Sequence, residues 1–205
     1  MSKEPTVFVV DDDAAVRESL RLSLKLAGRL VEVFESAAAF LASDALVRLG
    51  CLVTDIRMPD MDGLELQEEL GKRNSHLPVI IMTGHGDIPL TVRAMRAGAV
   101  DFLEKPFARE ALLASVARAL EIGNQAAEAA GNAQDIRARI ATLTPREREV
   151  FDLVVAGKQS KVIAYELGAS PRTIEVHRGR MMSKLKAQSL QDLVRMAIAA
   201  GVARG

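Results

Sequence analysis

Five strand-length apolar runs recur through the first hundred residues of this chain: TVFVV (6–10), LVEVF (30–34), GCLVT (50–54), LPVIIM (77–82) and AVDFL (99–103). Four of them are nearly continuous in apolar residues, the pattern of strands covered on both faces. LVEVF alternates apolar and polar positions, which suits a place nearer a sheet edge. Between the runs lie helical spacings over 14–27, 36–48, 64–73 and about 88–97, with another from 109. Strand and helix alternating in this way predict an α/β domain, a five-stranded doubly wound parallel sheet. Ligands of such sheets bind beyond the carboxyl ends of the strands, so the residues that follow each run carry the functional question.

The pattern changes after residue 122. Residues 123–138 are rich in Ala, Gly, Asn and Gln and carry the interrupting Gly123 and Gly131, a composition open to either a helix or a mobile tether. From LTPREREVFDLVVAG onward the spacing is helical only. The expected organisation is therefore a first domain over 4–122, a linker over 123–138 and an all-α four-helix domain over 139–205. Net charge is zero but divided. Residues 1–122 hold 14 Lys and Arg against 19 Asp and Glu, whereas 144–205 hold 11 against 6. Such polarity fits an acidic module joined to one that favours polyanions, and fits equally an uneven spread of solvated charge. The single cysteine, Cys51, excludes an intramolecular disulfide, and no Cys/His cluster has structural zinc spacing. With no signal peptide and no membrane-length apolar run, the expected compartment is the cytoplasm, away from the membrane.

In chain order, the first strand delivers Asp11 and Asp12, the third Asp55 in LVTDIRMPDMDG, the fourth Thr83 in IIMTGHGD, and the fifth Lys105 in DFLEKPF. A parallel sheet brings these to one edge. Carboxylates with no softer ligand beside them suit a hard cation, Mg²⁺ first. Such an ion offsets the repulsion among the acids and neutralises an incoming phosphoryl group. Asp55 would be the nucleophile, forming an acyl phosphate, with Thr83 as hydroxyl donor and Lys105 as point charge for the phosphoryl oxygens. Each residue alone also has a plain reading. Asp13 before AAVRESLRLSL is an N-cap, and a Thr or Lys after a strand is commonly just surface. The ordered set is much harder to reach by accident. MPDMDG supplies a turn and lacks the ligand spacing of an EF-hand loop. Met58, Met61 and Met82 read as packing residues. His85 reads as an exposed loop histidine, or as one that tunes the stability of a phosphoryl group nearby.

In the second module, SKVIAYELGASPRTIEVHRGRMMSKLKA reads as helix, tight turn, helix, with Gly168 ending the first helix, Ser170 capping the second and Pro171 in its first turn. Ile174, Arg178, Met181 and Leu185 form the packed face of the second helix. The opposite face carries Arg172, Val176, Gly179, Arg180 and Ser183, flanked by Thr173, Glu175 and Lys186. A small, basic, hydrogen-bonding face suits the DNA major groove, although an ordinary hairpin with a solvated basic face has the same pattern.

These motifs carry a family resemblance. Residues 5–122 resemble the receiver domain of two-component response regulators through VVDDD, DIRMPDMDGLEL, MTGHGD and FLEKPF. Residues 143–205 resemble the LuxR-type helix-turn-helix domain through LTPREREVF and KVIAYELGASPRTIEVHRGRMMSKL. Together the halves are similar to the FixJ subgroup. The resemblance implies Asp55 as phosphoacceptor, with Asp11, Asp12 and the backbone carbonyl of Arg57 also holding Mg²⁺. It implies Thr83 as the switch hydroxyl, Phe102 as the aromatic switch in place of the more frequent Tyr, and a cis bond between Lys105 and Pro106. It implies phosphate contacts from Lys161, Arg172, Thr173 and Lys184 and base contacts from Val176 and Arg180, while Glu175 accepts from cytosine or orients a neighbouring Arg. The implied partners are a sensor histidine kinase, promoter DNA and RNA polymerase. The implied assembly is a homodimer formed on phosphorylation through the fourth helix, fifth strand and fifth helix, with Arg93, Arg96, Asp101 and Glu104 as exposed candidates. The expected function is a phosphorylation-switched, non-enzymatic transcriptional regulator, read as an activator. The receiver would assist only its own phosphotransfer and dephosphorylation. Two rivals stay open here. Asp11 and Asp13 spell the Asp-x-Asp of haloacid-dehalogenase-like Mg²⁺-dependent phosphatases, although Ala15 stands where that family usually has Thr or Val. The other is a DNA-binding regulator indifferent to phosphorylation.

Overall fold

In the computed structural model, which describes residues 4–84 and 88–202, five strands form one sheet. They are β1 (Thr6–Val10), β2 (Leu30–Phe34), β3 (Gly50–Asp55), β4 (Val79–Thr83) and β5 (Asp101–Glu104). All four pairings are parallel and the order is β2-β1-β3-β4-β5. The alternating run LVEVF is therefore an edge strand. His85, singled out above, lies outside the described residues.

The helices of this half are α1 (Ala14–Leu26), α2 (Ala37–Leu41), α3 (Gly63–Lys72), α4 (Ile88–Arg96) and the beginning of α5 (Arg109–Ala141). The twofold alternation of strand side chains builds two cores. Phe8, Val10, Leu52 and Ile81 point to one face, where Phe40 of α2, Leu64 and Leu70 of α3 and Ala94 of α4 cover them. Val7, Val9, Val53, Ile80 and Met82 point to the other, against Leu20 and Leu24 of α1 and Leu112, Val116 and Leu120 of α5. Met58 and Met82 are buried core residues and Met61 packs at the margin, so the methionines are packing residues. Cys51 is fully interior, and burial pushes its thiol up to about 12, which keeps it protonated and unreactive.

The helix expected over 36–48 is interrupted. After α2 the chain makes a short 3-10 helix, Asp44–Val47. Ser43 causes the break: its hydroxyl donates to the Phe40 carbonyl at 2.7 Å and accepts from the Ala45 N–H at 3.2 Å. This is the local competition by which serine draws backbone groups out of a helix.

The chain divides between Ala127 and Glu128 into two compact units. Residues 123–138 fall inside α5. Gly123 belongs to the first unit by packing, since a Cβ there would lie 3.0 Å from the Gly50 carbonyl oxygen. Ile136 and Ile140 join the core of the second unit with Val150 and Phe151 of α6 (Pro145–Val155), Ile163 of α7 (Ser160–Glu166), Ile174, Met181 and Leu185 of α8 (Pro171–Leu185), and Leu193 and Ala197 of α9 (Leu190–Ala199). The second unit is thus four helices closed by the end of α5. No helix among the described residues is long and apolar enough to cross a membrane.

Candidate functional site

Parallel pairing sets Asp11 just beyond β1, Asp55 as the last residue of β3, Thr83 as the last of β4 and Lys105 just beyond β5. The Lys105 ammonium joins two of the acids, donating to Asp11 Oδ2 at 2.9 Å and to Asp55 Oδ1 at 2.6 Å. Backbone groups hold the remaining oxygens. Asp11 Oδ1 accepts the Asp13 N–H at 2.9 Å, and Asp55 Oδ2 accepts the Arg57 N–H at 2.8 Å. Asp11 is 1% exposed and Asp55 7%. Thr83 is buried, and its carbonyl accepts the Lys105 N–H at 2.6 Å, which fixes the entry of the lysine into the site. The Lys105–Pro106 bond is cis.

The electrostatics follow from two buried carboxylates sharing one cation. Burial raises the Asp11 carboxyl above its ordinary value, with the Asp55 charge adding to it, although the hydrogen bonds from Lys105 and the Asp13 N–H oppose the rise. For Lys105, burial works against the charged form, but the bonds to Asp55 and Asp11 outweigh it and raise its value, so the ammonium stays charged. Asp12 is exposed and lines an open depression of about 320 Å³ with Met58 and Asp60. Among the described residues no three acidic, histidine or cysteine side chains gather closely enough to hold a metal by themselves. Asp13 is spent on the fold: its carboxylate caps α1, accepting the Ala15 N–H at 2.7 Å and the Val16 N–H at 3.3 Å. Held there, it is not offered as the second acid of an Asp-x-Asp phosphatase.

The loop after β3 has a further requirement. A Cβ on Gly63 would sit 2.3 Å from the Asp55 carbonyl oxygen, so only glycine lets α3 start directly against the strand end that carries Asp55. Beside it Asp62 and Glu65 form a reciprocal capping box. Phe102, on β5, is half-buried against the Phe8 core.

The exposed surface expected around β5 needs one correction. Asp101 is not offered to solvent. It is half-buried, and its carboxylate accepts from Ser115 and Arg118 of α5 and from the Phe102 N–H. Arg93 is exposed and paired with Glu68 at 2.9 Å, and Arg96 and Glu104 are exposed.

In the second unit, Leu167 is the C-cap of α7, Gly168 takes the left-handed φ of 60°, and Ser170 caps α8 by accepting the Thr173 N–H at 3.1 Å, with Pro171 at the first helical position. Ile174, Met181 and Leu185 are buried, and Arg178 lies against the module, donating to Ser160 Oγ at 2.6 Å. Arg172, Thr173, Val176 and Arg180 are exposed on α8, and Lys161 is exposed on α7. Glu175 accepts from Arg178 at 3.3 Å, so in this structure it orients a neighbouring arginine. Lys184, expected at phosphate, is exposed and already paired: its ammonium donates to Glu147 Oε2 at 2.6 Å and to the Thr142 carbonyl at 3.3 Å. Glu147, which sequence reading passed over, is the centre of this arrangement. It closes a capping box with Thr144, and the Lys184 ammonium together with the Thr144 N–H holds its carboxyl down at about 2. The Thr-x-x-Glu spacing in TPRE is the signal that marks it.

Both halves of the chain match known families. Residues 7–117 match the response regulator receiver domain, and residues 141–197 match the bacterial regulatory proteins of the luxR family. The chain is 52% identical over 196 residues to the transcriptional regulatory protein FixJ of Rhizobium meliloti (strain 1021), covering 96% of each chain. It is 48% identical over 202 residues to the FixJ of Bradyrhizobium diazoefficiens, covering 98% of each. Among solved structures it is similar to the response regulator StyR, with a TM-score of 0.81, 44% identity and coverage of 96% of this chain and 99% of that one. It is also similar to full-length FixJ from B. japonicum, with a TM-score of 0.59, 48% identity and coverage of 98% and 100%. Acids and lysine at successive strand ends, followed by a capped helix-turn-helix unit with a basic exposed face, agree with both matches, and the chain belongs to the two-component response regulators that join a receiver domain to a luxR-family DNA-binding domain, the phosphorylation-activated transcriptional regulators.

Proposed function

We propose that Asp55 is the phosphoacceptor and that its phosphorylation by a sensor histidine kinase switches the second unit to promoter binding. The observation that carries this reading is the Lys105 ammonium bridging Asp11 and Asp55 at the carboxyl edge of the sheet. A carboxylate oxygen of Asp55 attacks the phosphorus of a phosphohistidine, the P–N bond breaks, and the imidazole leaves with its electron pair. The product is a mixed anhydride that water later cleaves, so the receiver takes part in its own loading and unloading without turning over an external substrate. Lys105 is positioned to follow the charge as it moves from carboxylate to phosphoryl oxygens. Thr83 would donate its hydroxyl to those oxygens, and Phe102 would follow it inward.

Mg²⁺ fits the donor set. The ligands are oxygens only, and one ammonium faces two buried carboxylates, leaving local negative charge that a hard dication would offset. Asp11, Asp12, Asp55 and the Arg57 carbonyl would hold it. Water would complete its shell, as Mg²⁺ prefers. When bound, the ion supplies positive charge to the transferring phosphoryl group.

Downstream, the phosphorylated receiver would dimerise through the surface that carries Arg93, Arg96 and Glu104. Two copies of α8 would then bind promoter DNA in the cytoplasm, with RNA polymerase as the recipient of activation. Phosphorylation can shift this balance only by its differential stabilisation of the two states. The test is a mass measurement in solution, with promoter binding, on the wild type and Asp55→Asn, each with and without beryllofluoride and Mg²⁺. A mass increase in the wild type alone supports the reading, and an equal increase in Asp55→Asn refutes it.

A further inference from the structure

Glycine is the poorest helix former after proline, because its backbone has the most freedom to lose. Gly179 nonetheless stands in the interior of α8, between Pro171 and Leu185. The fold gives it no reason to be glycine. Its φ is not among the positive values found at Gly28, Gly98, Gly157, Gly168 and Gly201. A Cβ built on it meets nothing within 4 Å, whereas one on Gly63 would collide with backbone at 2.3 Å. It is not the helix cap, a place taken by Lys186. Alanine would fit without a contact and would favour the helix.

The surroundings of Gly179 name what the bare backbone serves. At about 100° per residue, Arg172, Val176, Gly179 and Ser183 lie within roughly 60° of arc, opposite the buried Ile174, Met181 and Leu185. Val176, one turn before the glycine, keeps 47% of its surface exposed, and its side chain is hydrocarbon only. On the other side Gly179 opens into a depression of about 560 Å³ shared with Arg180, Ser183 and Lys184 of α8 and with Thr144 and Glu147 at the start of α6. Toward Val176, the helix face therefore presents an exposed hydrocarbon side chain next to bare main chain, one turn apart, with Arg172 and Ser183 as hydrogen-bonding side chains on the same face. On a base-pair edge in the major groove the apolar group is the 5-methyl of thymine.

We infer that Gly179 is a specificity-determining residue of α8: its missing side chain lets a thymine methyl group seat against the helix backbone beside Val176. This rests on the reading of α8 as the helix that enters DNA. The test uses the full-length chain with beryllofluoride and Mg²⁺. Wild type and Gly179→Ala are each used to select duplexes from a randomised pool, and affinities are then measured on the selected sites. The wild type should enrich sites with a constant thymine and lose affinity about fivefold when that thymine is replaced by uracil, which lacks only the methyl. Gly179→Ala should melt at the same or a higher temperature, bind unselected duplex unchanged, bind the wild-type site roughly tenfold more weakly and no longer distinguish thymine from uracil. Selection of the same sequence with the same affinity by Gly179→Ala, a thymine preference that persists in it, or a lowered melting temperature would each overturn the inference and leave the DNA reading intact. Enrichment of no sequence by the wild type would overturn the DNA reading, and the inference with it.

Discussion

Asp11→Asn exchanges a buried carboxylate for a neutral group of nearly the same shape. The amide oxygen can still accept from the Lys105 ammonium, which keeps Asp55 at 2.6 Å, but the amide nitrogen is a donor and cannot accept the Asp13 N–H now held at 2.9 Å. What is lost is that backbone hydrogen bond and the charged character of the one to Lys105, together about 2 kcal/mol. What is gained is relief from burying an ionised group that is 1% exposed and repelled by Asp55; such burial costs several kcal/mol even after relaxation. The net expectation is a stabilisation of about 1–2 kcal/mol, or about 3–6 °C for a unit of this size. The pH dependence has a definite sign. Asp11 has a folded value raised above 3.8, so its ionised form disfavours the fold. The wild type should lose that stability as pH rises from 3.8 through the higher folded value. The variant has no such group, so its advantage should be present at neutral pH and vanish on acidification. Differential scanning calorimetry of both full-length chains, in chelator and then in millimolar Mg²⁺, checks this. Mg²⁺ should raise the receiver transition of the wild type and narrow the gap. If Asp11→Asn melts below the wild type at neutral pH in chelator, the claim that Asp11 carries uncompensated charge is wrong.

Two further substitutions probe the second unit. Glu147→Gln removes the charge that Lys184 answers at 2.6 Å and should cost about 2 kcal/mol at neutral pH, read from urea unfolding. Because the folded value of Glu147 is depressed from 4.5 to about 2, its contribution is present above 4.5 and lost as pH falls toward 2. The difference from the variant should therefore shrink over that window, and a constant difference would contradict the assignment. Lys186 holds a left-handed φ of 57° at the end of α8. Lys186→Gly should raise stability by about 1 kcal/mol in the same assay, and a loss would show that the lysine side chain contributes something its backbone conformation does not reveal.

How much of this was readable beforehand depended on how far apart the responsible residues lie. The strands were legible in Val7, Val9, Phe8 and Val10 because alternate side chains of a strand enter opposite cores, and both sets here are apolar. The edge position of β2 was legible in Glu32, which breaks the apolar run. Asp13 as a cap, and Ser170 with Pro171 at the start of α8, follow from groups no more than three positions away. The break after α2 was missed although it too is local. The apolar spacing across 36–48 is helical, and the hydrogen bonds of the Ser43 hydroxyl override it.

Other features had no local cause. Asp101 read as a surface charge, yet Ser115 and Arg118 reach it from α5. Lys184 is expected at phosphate, and the carboxylate that pairs with it in the fold lies 37 positions earlier. The site itself shows both sides. Its residue types and their order at successive strand ends were written in the chain, and parallel pairing made their convergence predictable. That Lys105 spans Asp11 and Asp55, while Asp12 stays exposed and Asp13 turns to cap α1, was decided by the packed fold. Periodicity and caps are properties of near neighbours, which any stretch of chain carries with it. An ion pair between residues 94 positions apart exists only when the sheet brings their atoms within hydrogen-bonding distance, and burial then sets what each charge costs.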